Sequence, residues 1–195
     1  MTDPNATGGH ATPTCDEQAL PGVARASIGH GLRHNAPFEP DLDRFGGALA
    51  QSGASFVTLK LNDDLRGCVG SAEPYQPLVR DVARNAHGAA FGDTRFEPMT
   101  TDEFDQLSLS VSVLGPLSPI EAANEAELIE SLRPGQDGLV LSDQGRRGLF
   151  LPQVWEMLRD PEDFVAHLKI KAGFARSYWS ATMVAQRFHV HTYRE

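Results

Sequence analysis

The segment LRGCVGS, residues 65–71, brings together residue types that suit thiol chemistry. Cys68 lies between Gly67 and Gly70, and Arg66 precedes it by two positions. In a strand, side chains i and i+2 share a face, which places the Cβ atoms of Arg66 and Cys68 about 6–7 Å apart. A guanidinium at that distance favours the thiolate, and the glycines leave room beside the sulfur. The pattern is also typical of a small core cysteine beside a bulge, so both interpretations stay open.

Histidines are the residues that would activate such a thiol or bind a metal ion. His87 and His167 fall on predicted helices with no sequence relationship to Cys68, and we expect both to be solvated. His189 and His191 share one face of a predicted strand, but no third ligand follows at a supporting spacing. CxxC, HExxH, Walker-type and GxGxxG motifs are absent from the sequence. We therefore predict no metal and no cofactor.

The composition restricts the class of protein. The 195 residues carry a formal charge of −9 without a basic block, which argues against nucleic-acid binding. No apolar run reaches the length of a membrane span, and the polar N-terminus lacks the features of a signal peptide. We expect a cytoplasmic protein with a disordered tail at 1–16 and a single domain at 17–195. Its two cysteines, Cys15 and Cys68, are expected to be reduced.

Hydrophobic periodicity places the elements around this segment. Strands are predicted at 55–61, 65–69, 107–114, 138–141, 148–151 and 187–193, and helices at 17–32, 41–51, 76–91, 124–132, 152–158 and 161–172. Several neighbouring strands are separated only by short turns, which favours hairpins. The order therefore predicts an α+β fold with mainly antiparallel sheets packed with helices.

Several segments together resemble one family, the AMMECR domain family, whose prokaryotic members are called AmmeMemoRadiSam system protein A. They are FVTLKLNDDLRGCVGSAEP (56–74), AAFGDTRFEP (89–98), LSLSVSVLGPLSPI (107–120), LRPGQDGLVL (132–141), RGLFLPQVW (147–155), DFVAHLKIKAGF (163–174) and Trp179. The order and spacing of the segments make the resemblance specific. Val69 stands where the family motif usually has isoleucine, a substitution that conserves shape.

The resemblance implies two interlocked subdomains with a cleft between them. The larger would comprise about 17–62 plus 140–195, and the smaller about 63–139. The residues that it implies for the cleft come from the LRGCVG, DxRF, LPQ and KAG elements and from the residues directly after LRGCVG. They are Arg66, Gly67, Cys68, Gly70, Ser71, Glu73, Asp93, Arg95, Gln153 and Lys171.

The family has no settled activity, but its association with a Memo-type protein and a radical SAM enzyme implies a component of a modification system. Two hypotheses stay open for the cleft. In the first, Cys68 is a nucleophile or carrier thiol, Arg66 stabilises the thiolate or binds an anionic group, and Gln153 or Lys171 orients a small molecule or peptide. In the second, the cleft is a non-catalytic module that binds a protein or peptide, with Arg66 as an anchor.

Overall fold

The computed structural model describes residues 16–195. The predicted tail therefore lies outside the described residues except for Asp16, and so does Cys15. The helices are α1 Leu20–His34, α2 Leu78–Phe91, α3 Thr101–Phe104, α4 Glu125–Ser131 and α5 Pro161–Lys171, with 3-10 turns at Glu17–Ala19, Leu42–Arg44, Gly47–Ala50 and Pro152–Glu156. The strands are β1 Ser52–Gly53, β2 Ser55–Leu61, β3 Asp64–Gly70, β4 Gln76–Pro77, β5 Ser108–Leu114, β6 Ser118–Ile120, β7 Gly138–Asp143, β8 Arg146–Phe150, β9 Val184–Phe188 and β10 Val190–Arg194.

These strands form three sheets. Strands β1 and β4 pair alone, a four-stranded sheet has the order β10-β5-β2-β3, and a second has the order β6-β9-β7-β8. The pairs β2–β3, β7–β8, β7–β9 and β6–β9 are antiparallel. The predicted α+β class with antiparallel sheets is therefore confirmed.

The first sheet depends on a tight hairpin and on the helix that covers it. Asn62 and Asp63 both have positive φ, the conformation that a two-residue turn between β2 and β3 requires. On β2, Val57 and Leu59 are fully buried, and α2 packs on this hairpin. The stripe predicted on α2 is buried as expected and comprises Val79, Val82, Ala83, Ala86 and Ala90. Helix α1 packs against the same helix.

The second sheet is covered by α5, which packs on β8. The side chain of Asp160 caps this helix by accepting hydrogen bonds from the amides of Glu162 and Asp163, as the sequence predicts. Phe164 is fully buried and stacks on Trp155 with the ring centroids 3.7 Å apart. A buried aromatic pair of this kind contributes about 0.5–1.5 kcal/mol beyond its hydrophobic burial.

The chain divides into two compact units. One is the chain up to Ser112 together with Thr192–Glu195, and the other is Val113–His191. The division expected from the resemblance, with 63–139 as the smaller subdomain, has different boundaries and stays a prediction. Within the two units, β3 is hydrogen-bonded to β2 and α2 packs on both, which keeps 63–91 with 17–62.

Three predicted elements differ from the structure. The predicted helix at 152–158 is a 3-10 turn at Pro152–Glu156. The predicted helix at 41–51 is instead a pair of 3-10 turns, since Gly46 is extended and Gly47 has positive φ. The predicted strand at 187–193 is split at His189, and its two parts, β9 and β10, belong to different sheets. None of the helices within residues 16–195 has both the length and the apolar character of a membrane span.

Candidate functional site

Cys68 lies on β3, the strand at one end of the first sheet. It pairs with Thr58 across the β2–β3 ladder, and the Thr58 Oγ1 is 3.5 Å from the Cys68 Sγ. The residue is half-buried and its thiol is free. Within residues 16–195, this hydroxyl is the hydrogen-bonding neighbour of the sulfur, and neither a histidine nor a carboxylate takes that position.

The open edge of β3 at Cys68 is covered by the loop that follows α2. The backbone amide of Cys68 donates a hydrogen bond of 2.9 Å to the Asp93 Oδ2. Unpaired amides on an edge strand attract other strands, so a buried acceptor at this position also protects the edge. Asp93 thereby connects the DxRF element to the LRGCVG strand.

Asp93 and Arg95 form a bidentate ion pair. The Arg95 Nε donates to Oδ1 at 2.9 Å and its Nη2 donates to Oδ2 at 2.6 Å. These bonds, together with the Cys68 amide, hold the pKa of Asp93 well below its ordinary value. The Asp93 side chain is 7% exposed and that of Arg95 is 54% exposed. Since Arg95 also donates to the Cys68 carbonyl oxygen at 3.4 Å, an exposed cation lies directly beside Cys68.

Arg66 has a different set of partners from the one expected. Leu59 pairs with Gly67 and Lys60 pairs with Leu65, so Arg66 is the extra residue of a β-bulge. A bulge redirects a side chain, and here Arg66 is 9% exposed with its guanidinium turned to Glu103. The expectation that Arg66 stabilises the thiolate is corrected by these contacts: the guanidinium in contact with Cys68 is that of Arg95.

The partners of Arg66 lie on the loop and short helix that follow α2. Its Nε donates to Glu103 Oε1 at 2.7 Å, and its Nη2 donates to Glu103 Oε2 at 3.1 Å and to the Glu97 carbonyl oxygen at 2.8 Å. Arg66 and Thr100 lower the pKa of Glu103 to about 2. The Phe96 ring centroid lies 5.6 Å from the Arg66 guanidinium and 5.5 Å from that of Arg95. Arg66 therefore holds the loop against β3.

Both glycines of the motif make room for the protein itself. A Cβ on Gly67 would lie 2.1 Å from the backbone oxygen of Ala89 on α2. A Cβ on Gly70 would lie 2.2 Å from the Phe56 ring. The room expected beside these glycines is therefore occupied by α2 and Phe56 of the chain itself.

Ser71 belongs to a buried polar cluster. Its hydroxyl donates to Asp81 Oδ1 at 2.6 Å, and the Ser55 hydroxyl donates to Asp81 Oδ2 at 2.7 Å. The Asn85 amide nitrogen donates to the same carboxylate at 2.9 Å. Asp81 is fully buried, so these donors replace the water that the carboxylate loses. Glu73, the next predicted site residue, is exposed in the loop after β3.

The two remaining predicted site residues belong to the second unit. Gln153 is exposed in the 3-10 turn after β8. Lys171 ends α5, where its Nζ donates to the Leu149 carbonyl oxygen at 2.8 Å and lies 5.1 Å from the Phe150 ring centroid. Partial burial lowers the pKa of Lys171. These contacts attach the end of α5 to β8.

The histidines differ from the sequence expectation in one respect. His87 packs beside Phe91 instead of being solvated, and burial lowers its pKa. His189 contacts the buried Asp137 through its Nε2 at 3.2 Å, while His191 is exposed on β10. Among residues 16–195, no group of three histidine, cysteine or acidic side chains is arranged to hold a metal ion.

Sequence reasoning missed several interacting groups. Glu103 carries a recognisable signal, since Thr100 and Glu103 form a capping box at the start of α3. No local sequence signal marks Asp143. Its carboxylate accepts hydrogen bonds from the hydroxyl groups of Ser180, Tyr178 and Thr182, and these bonds lower its pKa to about 2. This carboxylate borders a cavity of about 600 Å³ at the β7–β8 turn, and neither Cys68 nor Arg66 lines that cavity.

Comparison with known proteins decides the family. The AMMECR1 family model matches residues 21–193. This chain belongs to the AMMECR1 family. It is 38% identical over 163 residues to a protein of Methanopyrus kandleri, a match that covers 80% of this chain and 77% of that protein. It is 39% identical over 144 residues to a protein of Methanocaldococcus jannaschii, covering 72% of each.

A solved structure supports the AMMECR1 assignment. The crystal structure of the uncharacterized protein PH0010 from Pyrococcus horikoshii is similar, with a TM-score of 0.81 and 31% identity. The match covers 95% of this chain and 94% of that chain. The resemblance identified from the LRGCVG, DxRF, LPQ and KAG elements is thus confirmed. Membership of the AMMECR1 family establishes the fold and leaves the activity to be inferred from the site.

Proposed function

We propose that this AMMECR1-family chain is the partner-binding component of a modification system. The surface formed by Cys68, Asp93, Arg95 and Phe96, here called the Cys68 surface, makes the contact. One observation carries the proposal: Asp93 holds the Cys68 amide and the Arg95 guanidinium together, so that Arg95 is exposed in a fixed position. Fixed arginines and aromatic rings are the residue types that contribute most to protein interfaces.

The surroundings of the thiol favour binding over catalysis. A cysteine nucleophile needs a base within hydrogen-bond reach, and the group near the Cys68 Sγ is the hydroxyl of Thr58. The two arginines around the motif are each paired with a carboxylate, Arg66 with Glu103 and Arg95 with Asp93. Such pairing stabilises the loop at the edge of β3 and leaves Arg95 as the exposed anchor in place of Arg66.

The resemblance suggests the partner classes: a Memo-type protein and a radical SAM enzyme. A cytoplasmic location likewise stays a prediction from the sequence. The test is to mix the purified chain with the Memo-type and radical SAM proteins of the same organism and to measure binding by calorimetry. We expect Arg95→Ala to abolish or strongly weaken binding and Cys68→Ser to preserve it. Arg84→Ala, which removes an exposed arginine from α2, is the matched control and should bind normally.

Absence of binding to both partners, or equal binding by Arg95→Ala and the control, would remove the basis of this proposal. A folding check by circular dichroism accompanies each variant. Arg66→Ala is not a suitable test, because that side chain is buried against Glu103.

A second function, with Cys68 as a nucleophile, is favoured by the free and half-buried state of its thiol and by the adjacent Arg95. Alkylation by iodoacetamide separates the two functions. An activated thiol would react at pH 7 much faster than glutathione, and Arg95→Ala would slow it. If Cys68 is alkylated more slowly than glutathione, and Arg95→Ala does not change that rate, the nucleophile function is excluded and only the binding function remains.

A further inference from the structure

A groove lies between α4 and α5 in the second unit. Its cavity volume is about 480 Å³. The lining combines apolar and charged side chains, namely Glu125, Ala126, Ile129, Glu130, Glu162, Ala166 and Arg176. We call it the α4–α5 groove. It shares no residue with the Cys68 surface, so the two can be tested separately.

One of its carboxylates is already neutralised from within the fold. Lys169 is fully buried, and its Nζ donates to Glu125 Oε1 at 2.7 Å and to Oε2 at 2.8 Å. This pair connects the first turn of α4 to the last turn of α5, so the two walls of the groove are fixed relative to each other. Glu125 therefore forms part of the wall and contributes little free negative charge.

The cation on the rim is also paired. Arg176 Nη2 donates to the Asp163 Oδ1 at 2.5 Å. Glu130 and Glu162 are both exposed, and within residues 16–195 their carboxylates form no ion pair. The groove therefore presents two unneutralised carboxylates together with apolar lining side chains, of which Ala166 is buried, Ile129 is half-buried and Ala126 is exposed.

This combination fits one kind of side chain, a long aliphatic stem that ends in a cation. Lysine and arginine bury their methylene groups on apolar surface while the charged head stays at the rim. Arginine fits better, because its planar guanidinium binds carboxylates through two parallel hydrogen bonds and loses less hydration than an ammonium group. A negative rim also repels acidic partners, which adds specificity.

We propose that the α4–α5 groove binds an arginine side chain presented by a partner protein. The stem packs on Ile129 and Ala166, and the guanidinium lies between Glu130 and Glu162. The groove is thus a second docking point, independent of the Cys68 surface.

The test is an NMR titration of the isotope-labelled chain with Nα-acetyl-arginine N-methylamide. Its neutral isostere, Nα-acetyl-citrulline N-methylamide, is the control probe. We expect the arginine probe to shift the amide signals of Ala126, Ile129 and Ala166 with a dissociation constant of about 1–10 mM, as suits so small a ligand. The citrulline probe should bind about five-fold more weakly, because it loses the ion pairs with both glutamates and each exposed pair is worth about 0.2–1 kcal/mol.

Two variants complete the test. The double variant Glu130→Gln and Glu162→Gln should weaken the arginine probe about five-fold or more. Glu156→Gln, which changes an exposed carboxylate outside the groove, should leave its affinity unchanged. Equal shifts with both probes, retained affinity in the double variant, or no shifts around the groove would each overturn the proposal. None of these results bears on Arg95, so failure of the groove proposal and failure of the proposed function can be told apart.

Discussion

The carboxylate of Asp93 accepts the backbone amide of Cys68 at 2.9 Å, across 25 residues of sequence. The same carboxylate is bound by both sides of the Arg95 guanidinium fork. Two separate motifs of the chain are in this way combined into one surface. The geometry around Cys68 therefore depends on a loop from outside the strand that carries the thiol.

Replacement of Asp93 by alanine should loosen the edge of β3. A hydrogen bond to a charged group contributes about 1.5–3 kcal/mol, so the Cys68 amide should exchange its hydrogen at least about ten-fold faster. Hydrogen exchange followed by NMR measures this directly. Asp102→Ala, an exposed acid on α3, serves as the control. If the exchange rate at Cys68 stays that of the natural protein, Asp93 does not hold the strand edge.

Gly67→Ala should destabilise the fold severely. The new Cβ would lie 2.1 Å from the Ala89 backbone oxygen, and helix backbone cannot move aside without loss of its own hydrogen bonds. The cost should reach or exceed the upper end of the usual overpacking range of about 1–3 kcal/mol. Urea denaturation gives the free energy of unfolding.

Gly88→Ala provides the comparison for that experiment. Its Cβ would lie 3.1 Å from a methyl group of Val69, a side chain that has room for small adjustments, and alanine stabilises a helix by about 1 kcal/mol over glycine. This variant should therefore be close to neutral. A similar loss of stability in both variants would show that the contact with Ala89 is not the cause.

The ion pair between Arg66 and Glu103 should make stability depend on pH in the acid range. Glu103 has its pKa lowered from 4.5 to about 2 in the folded chain, so between these pH values the unfolded chain binds more protons. Stability from this group is thus complete above about pH 4.5 and is lost as the pH falls towards 2. Other acidic residues also make the free energy of unfolding depend on pH, and comparison with a matched variant removes their contribution.

Glu103→Gln is that variant. It should be less stable than the natural chain at about pH 6. The difference should shrink at about pH 3, because there Glu103 is protonated in the unfolded chain while it is still largely ionised in the folded one. Urea denaturation at several pH values measures the difference. A gap that stays constant over this range would mean that the pKa of Glu103 is not lowered by folding.

The buried pair of Lys169 and Glu125 predicts two unequal effects. Glu125→Ala leaves an ammonium group buried without its partner, which should cost about 3–5 kcal/mol. Lys169→Met replaces the cation by an apolar side chain of similar length, while Glu125 is 29% exposed and can turn to water. The second variant should therefore lose much less stability. Thermal denaturation of both variants decides the order, and the reverse order would contradict the assigned burial of Lys169.

Periodicity alone predicted most of the regular structure. The strand at 55–61, the stripe on α2 and the Asp160 cap of α5 follow from local preferences and hydrophobic spacing, which act within a few residues. The segment 41–51 had helical spacing too, but the backbone at Gly46 and Gly47 leaves the helical region.

The order of LRGCVG, DxRF, LPQ and KAG along the chain was enough to determine the family, because those segments are read from the sequence without any knowledge of contacts. The partners of Arg66 were decided only by tertiary structure. A bulge of one residue turned the guanidinium from Cys68 to Glu103, and the register of a strand depends on its neighbour as much as on its own residues. The ion pair of Lys169 with Glu125 and the hydrogen bond from the Cys68 amide to Asp93 likewise arise when folding brings distant elements within reach, which no local pattern encodes.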